Sequence, residues 1–328
     1  MGKRSFFVYL YLLVTYITFG EGAYTFSLGI ETGFLYGTSY EITYTEPQNE
    51  DYVSELAWDL KPLWFVGLTA EYGPREPLKG IAVFTNLNFK AGIPAKTGVI
   101  EDRDWLTPTT EQGSLTLFSS HDNRTKTVLL ADLEGGISIP VKGPVVLKLL
   151  FDISYMLFKF EAWDGYSQYG ANGHFPTVSN PYVPWDANWP KKKLKGLGID
   201  YMQNWLIFSP GLEAALLFDY VSISVLCFAS PFVFCFASDN HYQQTPAFYT
   251  TETLNGGACY EAEGKITLSL NRHFAFNVRV SYRYITGTRG DLELSEQDSS
   301  GTTSTYYKDI AGAGARFLTG TLGFVYSF

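Results

Sequence analysis

The sequence predicts an all-β protein, a ten-stranded antiparallel transmembrane β-barrel, on three observations. Apolar and polar residues alternate with a period of two, the strands so marked run to roughly fifteen to twenty residues, and tight turns alternate with long polar loops. A period of two sends successive side chains to opposite faces, so it marks a strand whose two faces meet different solvents. A soluble sandwich shares that period. Its strands are usually about half as long, and it has no reason to collect aromatics near the strand ends.

Composition agrees with a large packed structure. The chain has 328 residues, 46% hydrophobic and 17% aromatic, which excludes a disordered or collagen-like protein. Its formal net charge of −9 argues against a nucleic-acid partner held through phosphates and favours a basic one. Cys227, Cys235 and Cys259 have no metal-ligand spacing and read as small apolar fillers.

Taken in chain order, residues 1–22 read as a signal peptide. Lys3 and Arg4 precede the uncharged run Ser5–Gly20, and Gly20-Glu21-Gly22 offers small residues for cleavage before Ala23. The alternative, a retained anchor helix, is disfavoured because the run is short for a bilayer span. Residues 23–328 then form one domain.

Val145, Leu147, Leu149, Phe151, Ile153, Tyr155 and Leu157 alternate with a set that includes Lys148, Asp152 and Ser154. Between Tyr220 and Ser238, bulky Leu226, Phe228, Phe232, Phe234 and Phe236 alternate with small Ala229, Val233, Cys235 and Ala237. A hydropathy window would flag this run as a membrane helix, but Pro231 would break a helix; in a strand it demands a bulge or a weakly paired stretch. Val278, Val280, Tyr282 and Tyr284 alternate with Asn277, Arg279, Ser281 and Arg283, and arginines on one face suit a polar lumen better than a sandwich core. The chain ends on an alternating aromatic strand, Leu322–Phe328.

Tight turns fall near Gly73-Pro74, Lys142-Gly143-Pro144, Phe218-Asp219 and Asn271-Arg272. Longer polar loops fall near 46–53, 97–112, 163–197, 239–255 and 288–305. This alternation places both termini at the short-turn end and the long loops at an opposite, extracellular rim.

Two polar clusters belong to that rim. Asp102 and Asp104 share a face at strand spacing, as do Asp239 and His241. A carboxylate beside an imidazole fixes its tautomer and raises its basicity, which a water-activating general base requires. Paired carboxylates share a proton and bind the far side of the same water. The same spacings occur in solvated turns and divalent-cation sites, so spacing by itself leaves those readings open. His121, near Ser119 and Ser120, reads as a wall residue of the cleft because no third partner is evident.

In sequence order the chain resembles the omptins, outer-membrane endopeptidases with a ten-stranded barrel and an Asp/His active site. The resemblance rests on collinear matches: Leu35-Tyr36-Gly37-Thr38-Ser39-Tyr40-Glu41, Ser54-Glu55-Leu56-Ala57-Trp58, Asp102-Arg103-Asp104-Trp105, Ser120-His121, Tyr201-Met202-Gln203-Asn204-Trp205, Asp239-Asn240-His241, and the closing strand from Ala313-Gly314 to Phe328. It implies that Asp239 and His241 activate a water, that Asp102 and Asp104 bind the water and the scissile carbonyl, and that neither metal nor cofactor takes part. It also implies polypeptide substrates cut beside basic residues, with Glu41 as one carboxylate of the pocket. The second carboxylate position is Ala237, so basic preference should be weaker or shifted.

Relatives hold lipopolysaccharide with outward Tyr, Glu and Arg side chains. Ile153, Tyr155, Leu157 and Asn204 stand at the matching positions, so that lipid site is expected not to be retained, although the barrel still contacts outer-membrane lipid. A non-catalytic adhesin and a narrow porin-type barrel are the alternative functions; a ten-stranded lumen is narrow and largely filled by side chains.

Overall fold

A computed structural model describes residues 24–48, 50–106, 113–170, 183–243, 247–298 and 301–328. The signal-peptide region 1–22 lies outside the described residues. The described chain is all-β, with thirteen strands in one antiparallel sheet. They are β1 (Tyr24–Tyr44), β2 (Tyr52–Pro74), β3 (Ala82–Gly92), β4 (Ala95–Asp104), β5 (Leu117–Pro140), β6 (Val145–Gln168), β7 (Lys192–Leu217), β8 (Val221–Ser230), β9 (Val233–His241), β10 (Ala247–Gly256), β11 (Cys259–Ser269), β12 (Phe274–Asp298) and β13 (Gly301–Ser327).

The pairings return on themselves. From β1 the sheet runs through β2, then β3 and β4, to β5, β6 and β7. Strand β7 pairs with β8 below and β9 above, these pair with β11 and β10, and both of those pair with β12. Strand β12 pairs with β13, which pairs with β1. The described strands thus close on themselves at the level of the apolar band, the condition a sheet must meet in hydrocarbon.

The alternation read from the sequence describes both faces. On β6, Leu149, Phe151, Ile153 and Tyr155 face outward and are exposed, while Asp152 and Ser154 are buried in the lumen. On β12, Val278, Val280, Tyr282 and Tyr284 face outward and Asn277 and Arg283 inward. The 220–238 run departs from a single phase. Leu226 and Phe228 point into the lumen at 7% and 8% exposure, whereas Phe234 and Phe236 point outward at 43% and 45%. The break at Pro231-Phe232, between β8 and β9, reverses the phase, as an inserted residue must in a period-two element. Of the cysteines, Cys235 and Cys259 are buried fillers, but Cys227 is exposed on the outer face; all three are free.

The expected tight turns are present at 141–144, 218–220 and 270–273, whereas Gly73-Pro74 ends β2 and is followed by a longer connection over 75–81; the C-terminus lies at the same, lower end, where the Phe328 amide donates to the Phe26 carbonyl at 3.0 Å. The other end differs from expectation. Residues 97–104, 163–168, 192–197, 247–255, 288–298 and 301–305 continue the strands upward instead of forming loops. Above the bilayer both faces of a strand are wet, so the apolar alternation that betrays a strand is lost there.

Outward charge marks the upper limit of the apolar band. The ion pairs Lys61–Asp59 at 2.6 Å, Lys96–Asp122 at 2.7 Å and Lys126–Glu161 at 3.3 Å sit on the outer surface of neighbouring strands. Inside, an aromatic core fills the lumen, with Trp58 stacked on Phe160 (5.3 Å) and Tyr201 (5.4 Å). Each such buried ring contributes about 1.5–3 kcal/mol.

Candidate active site

The upper mouth is assembled by register. On β4, Gly98 adopts φ 120° beside Asp59, and the register slips between Lys96 and Gly98. The slip turns both Thr97 and Ile100 inward, so Asp102 and Asp104, two and four residues on, face the mouth. Asp102 lies opposite Leu56 of β2, and Glu41 of β1 lies opposite the same residue. Both carboxylates are therefore level and stand above the Asp59–Lys61 border. Arg103, between the two aspartates, points outward to Glu55 at 3.1 Å and to Glu101, and forms no ion pair with Asp102 or Asp104.

On β9 the inward phase set by the Pro231 break carries Ala237, Asp239 and His241. Asp239 is 1% exposed and forms an ion pair with His241 Nε2. Phe248, opposite His241 on β10, stacks on the imidazole at 4.2 Å.

The two clusters act on each other across the mouth. Burial pushes Asp102 up to about 6, against the pull of His241 and a hydrogen bond from Ser119. Burial, reinforced by the neighbouring Asp102 carboxylate, holds Asp104 well above the ordinary carboxylate range. For His241 burial works against the charged form, but Asp239 at contact, aided by Asp102, outweighs it and raises the imidazole above its ordinary value. Glu41 is raised well above its ordinary value by burial first, then by the neighbouring Asp239, Glu252 and Asp102 carboxylates. The structure thus brings Asp102, Asp104, Asp239, His241 and Glu41 into one electrostatically connected mouth.

His121 differs from the expectation that it lacks a third partner. The Ser119 hydroxyl sits between Asp102 Oδ2 (3.2 Å) and His121 Nε2 (3.1 Å), and His121 Nδ1 donates to the Asp164 carbonyl at 2.8 Å. That carbonyl takes the Nδ1 proton of a neutral ring, which leaves Nε2 as an acceptor that competes with Asp102 for the single Ser119 proton. Burial keeps His121 neutral by lowering it, with the nearby His241 adding to the effect. Tyr169 also hydrogen-bonds Ser119 and lies near Asp102.

Sequence reasoning missed Glu252. It is 1% exposed on β10, directly opposite Ala237. The span 239–255 reads as a polar loop, but Thr250, Glu252 and Leu254 alternate as inward residues of a strand, and that short pattern was the available signal. On the outer face, Ile153 and Tyr155 are exposed and the Tyr155 hydroxyl donates to Asn204 Oδ1 at 3.0 Å.

A closed antiparallel barrel with an apolar outer band and a charged mouth defines an outer-membrane β-barrel protein. The omptin family model matches residues 22–328, and the chain belongs to the omptin family. The fold is similar to the crystal structure of the outer membrane protease OmpT from Escherichia coli, with a TM-score of 0.77, 17% sequence identity, and coverage of 93% of this chain and 97% of that one. The translocator domain of the autotransporter NalP from Neisseria meningitidis matches with a TM-score of 0.37 at 9% identity, covering 99% of this chain and 95% of that one. No curated protein matches in sequence.

Proposed function

We propose that the chain is an outer-membrane endopeptidase that hydrolyses peptide bonds with a water activated by His241 and Asp239 at the extracellular rim. The observation that carries this reading is that the Asp239–His241 ion pair and the Asp102/Asp104 pair face one mouth, where His241 and Asp102 shift each other's protonation. The thirteen strands are read as ten staves, because β3 and β4 share the place between β2 and β5, while β8 with β9 and β10 with β11 fill two more.

In this reading Asp239 holds His241 Nε2, so Nδ1 takes a proton from water as the water oxygen attacks the scissile carbonyl carbon. Asp104, which retains its proton, donates to the developing oxyanion, while Asp102 accepts from the water. The imidazolium then returns its proton to the leaving amine. Polypeptides cut beside a basic residue are the substrates, with Glu41 receiving that residue. Catalysis proceeds without lipopolysaccharide, because Tyr155 and Asn204 satisfy each other on the outer face where a phosphate-binding arginine would be needed.

An open porin is disfavoured by the aromatic core and ion pairs that fill the lumen. Refolded protein assayed on fluorogenic peptides tests the proposal. His241→Ala and Asp239→Ala should lower kcat/KM by about 10²–10⁴-fold with the barrel still folded. Retained turnover in both folded variants would overturn the Asp239–His241 assignment, and a folded wild type that hydrolyses no peptide would leave an adhesin as the surviving reading.

A further inference from the structure

Beneath His241 the inward side chains of Glu41 on β1, Asp239 on β9, and Thr250 and Glu252 on β10 form a buried polar cluster, the cup, in which Asp239 and Glu252 act electrostatically on Glu41. Glu41 and Glu252 are 6% and 1% exposed, and each has an Oε2 that no hydrogen bond reaches. Thr250, inward on the same face as Glu252 and opposite Asp239, is also buried with its hydroxyl oxygen unpartnered. No Lys or Arg among the described residues forms an ion pair with Glu41, Asp239 or Glu252.

The floor is aromatic. The Tyr201 hydroxyl lies within electrostatic reach of both Glu41 and Glu252, and its ring stacks on Trp58. Gln203 fixes this floor by donating to the Tyr201 hydroxyl and the Tyr40 carbonyl at 2.8 Å each. Buried acceptors without donors are costly, and the deficit is one that an incoming cation with several N–H groups would remove. Aromatic faces favour the same guest.

We propose that Glu252, reaching in from β10 beside the small Ala237, is a specificity-determining residue that with Glu41 receives the basic side chain of the substrate. This rests on the endopeptidase reading and deepens it. A carboxylate at position 237 would project from β9; here Ala237 leaves room, and the neighbouring strand supplies the charge at the same level. The cup takes an alkylguanidinium or alkylammonium, with both glutamates accepting from its N–H groups and Thr250 adding a neutral acceptor.

Two measurements test this separately from the chemistry. The first is the ratio of kcat/KM for a peptide with arginine before the cut bond to that for the same peptide with citrulline, its neutral isostere. Glu252→Gln should lower that ratio at least tenfold, as should Glu41→Gln; an unchanged ratio in folded Glu252→Gln overturns the proposal. The second is calorimetric binding of n-butylguanidinium to the refolded barrel, which needs no turnover. Wild type should bind and Glu252→Gln should bind at least tenfold more weakly. Equal affinities, or no binding by wild type, overturn the cup. Binding without hydrolysis of any peptide would instead overturn the endopeptidase reading and leave the cup standing.

Discussion

The lower lumen and the upper mouth both bury carboxylates, but they treat them differently. In the lower lumen, Arg283 reaches Glu261 at 2.5 Å and Asp132 at 3.3 Å, Arg279 pairs with Glu31, Lys265 lies 3.4 Å from Glu71 and Lys148 lies 3.0 Å from Glu213. At the mouth, none of Glu41, Asp102, Asp104 and Glu252 has a Lys or Arg ion pair among the described residues, and Asp239 has only His241. Most of the lower charges are matched in this way, with Asp152, Glu134 and Glu263 the members that make no ion pair among the described residues. The upper ones keep their capacity for water, a carbonyl oxygen and a cation. Buried charge is therefore structural where it is matched, and available for chemistry where it is not.

The sharpest test of that contrast removes the one charge at the mouth that has a partner. Asp239→Asn should lower kcat/KM by about 10²–10⁴-fold with the barrel intact. It should also move the acid limb of the pH–rate profile to lower pH, because Asp239 is what raises His241 against the effect of burial. A large rate loss with an unmoved limb would show that some other group sets that limb.

Next in size is the matched region. Arg283→Met leaves Asp132 and Glu261 uncompensated and should destabilise the folded barrel by about 3–5 kcal/mol, read as the urea midpoint in detergent. The mouth should respond with the opposite sign. Asp102 is raised from 3.8 to about 6 on folding, so its ionised form opposes folding at neutral pH, and this cost disappears as pH falls below the lower value. Asp102→Asn should therefore stabilise the barrel at pH 8 and lose that advantage towards pH 4. Equal destabilisation by both substitutions would erase the distinction between the two regions.

What the sequence made legible follows the same division. Within the bilayer one face must be apolar, so the runs at 145–157 and 276–284 report their outward and inward residues correctly. Above it the constraint is gone, and β10 and the upper halves of β12 and β13 read as loops although they are strands. Glu252 was hidden for that reason. Asp102, Asp104, Asp239 and His241 were visible because spacing of two survives in any extended segment, but their meeting depends on the Gly98 slip and the Pro231 break, which set the phases of β4 and β9. A proline signals that a strand is interrupted, not how many residues the interruption inserts. Interruptions at 93–94, 231–232 and 257–258 separate β3 from β4, β8 from β9 and β10 from β11, which is why thirteen strands appear where ten were expected.

The smallest effect belongs to Ser119, whose hydroxyl lies between Asp102 and His121 and donates to Asp102. Its hydrogen bond lowers Asp102, so Ser119→Ala should raise Asp102 above its present value of about 6 and leave more of it protonated near neutrality. Losing one such bond costs about 0.5–1.5 kcal/mol, a rate loss of roughly two- to tenfold. If Asp102 must be anionic to accept from the attacking water, the deficit should be deeper at pH 6 than at pH 8, where the carboxylate reionises despite the lost donor. His121→Ala removes the ring beyond the hydroxyl but leaves Ser119 able to donate its proton to Asp102, so its deficit should be smaller and nearly independent of pH. A pH-independent loss in Ser119→Ala would mean that the hydroxyl acts on the substrate itself and not through the carboxylate it holds.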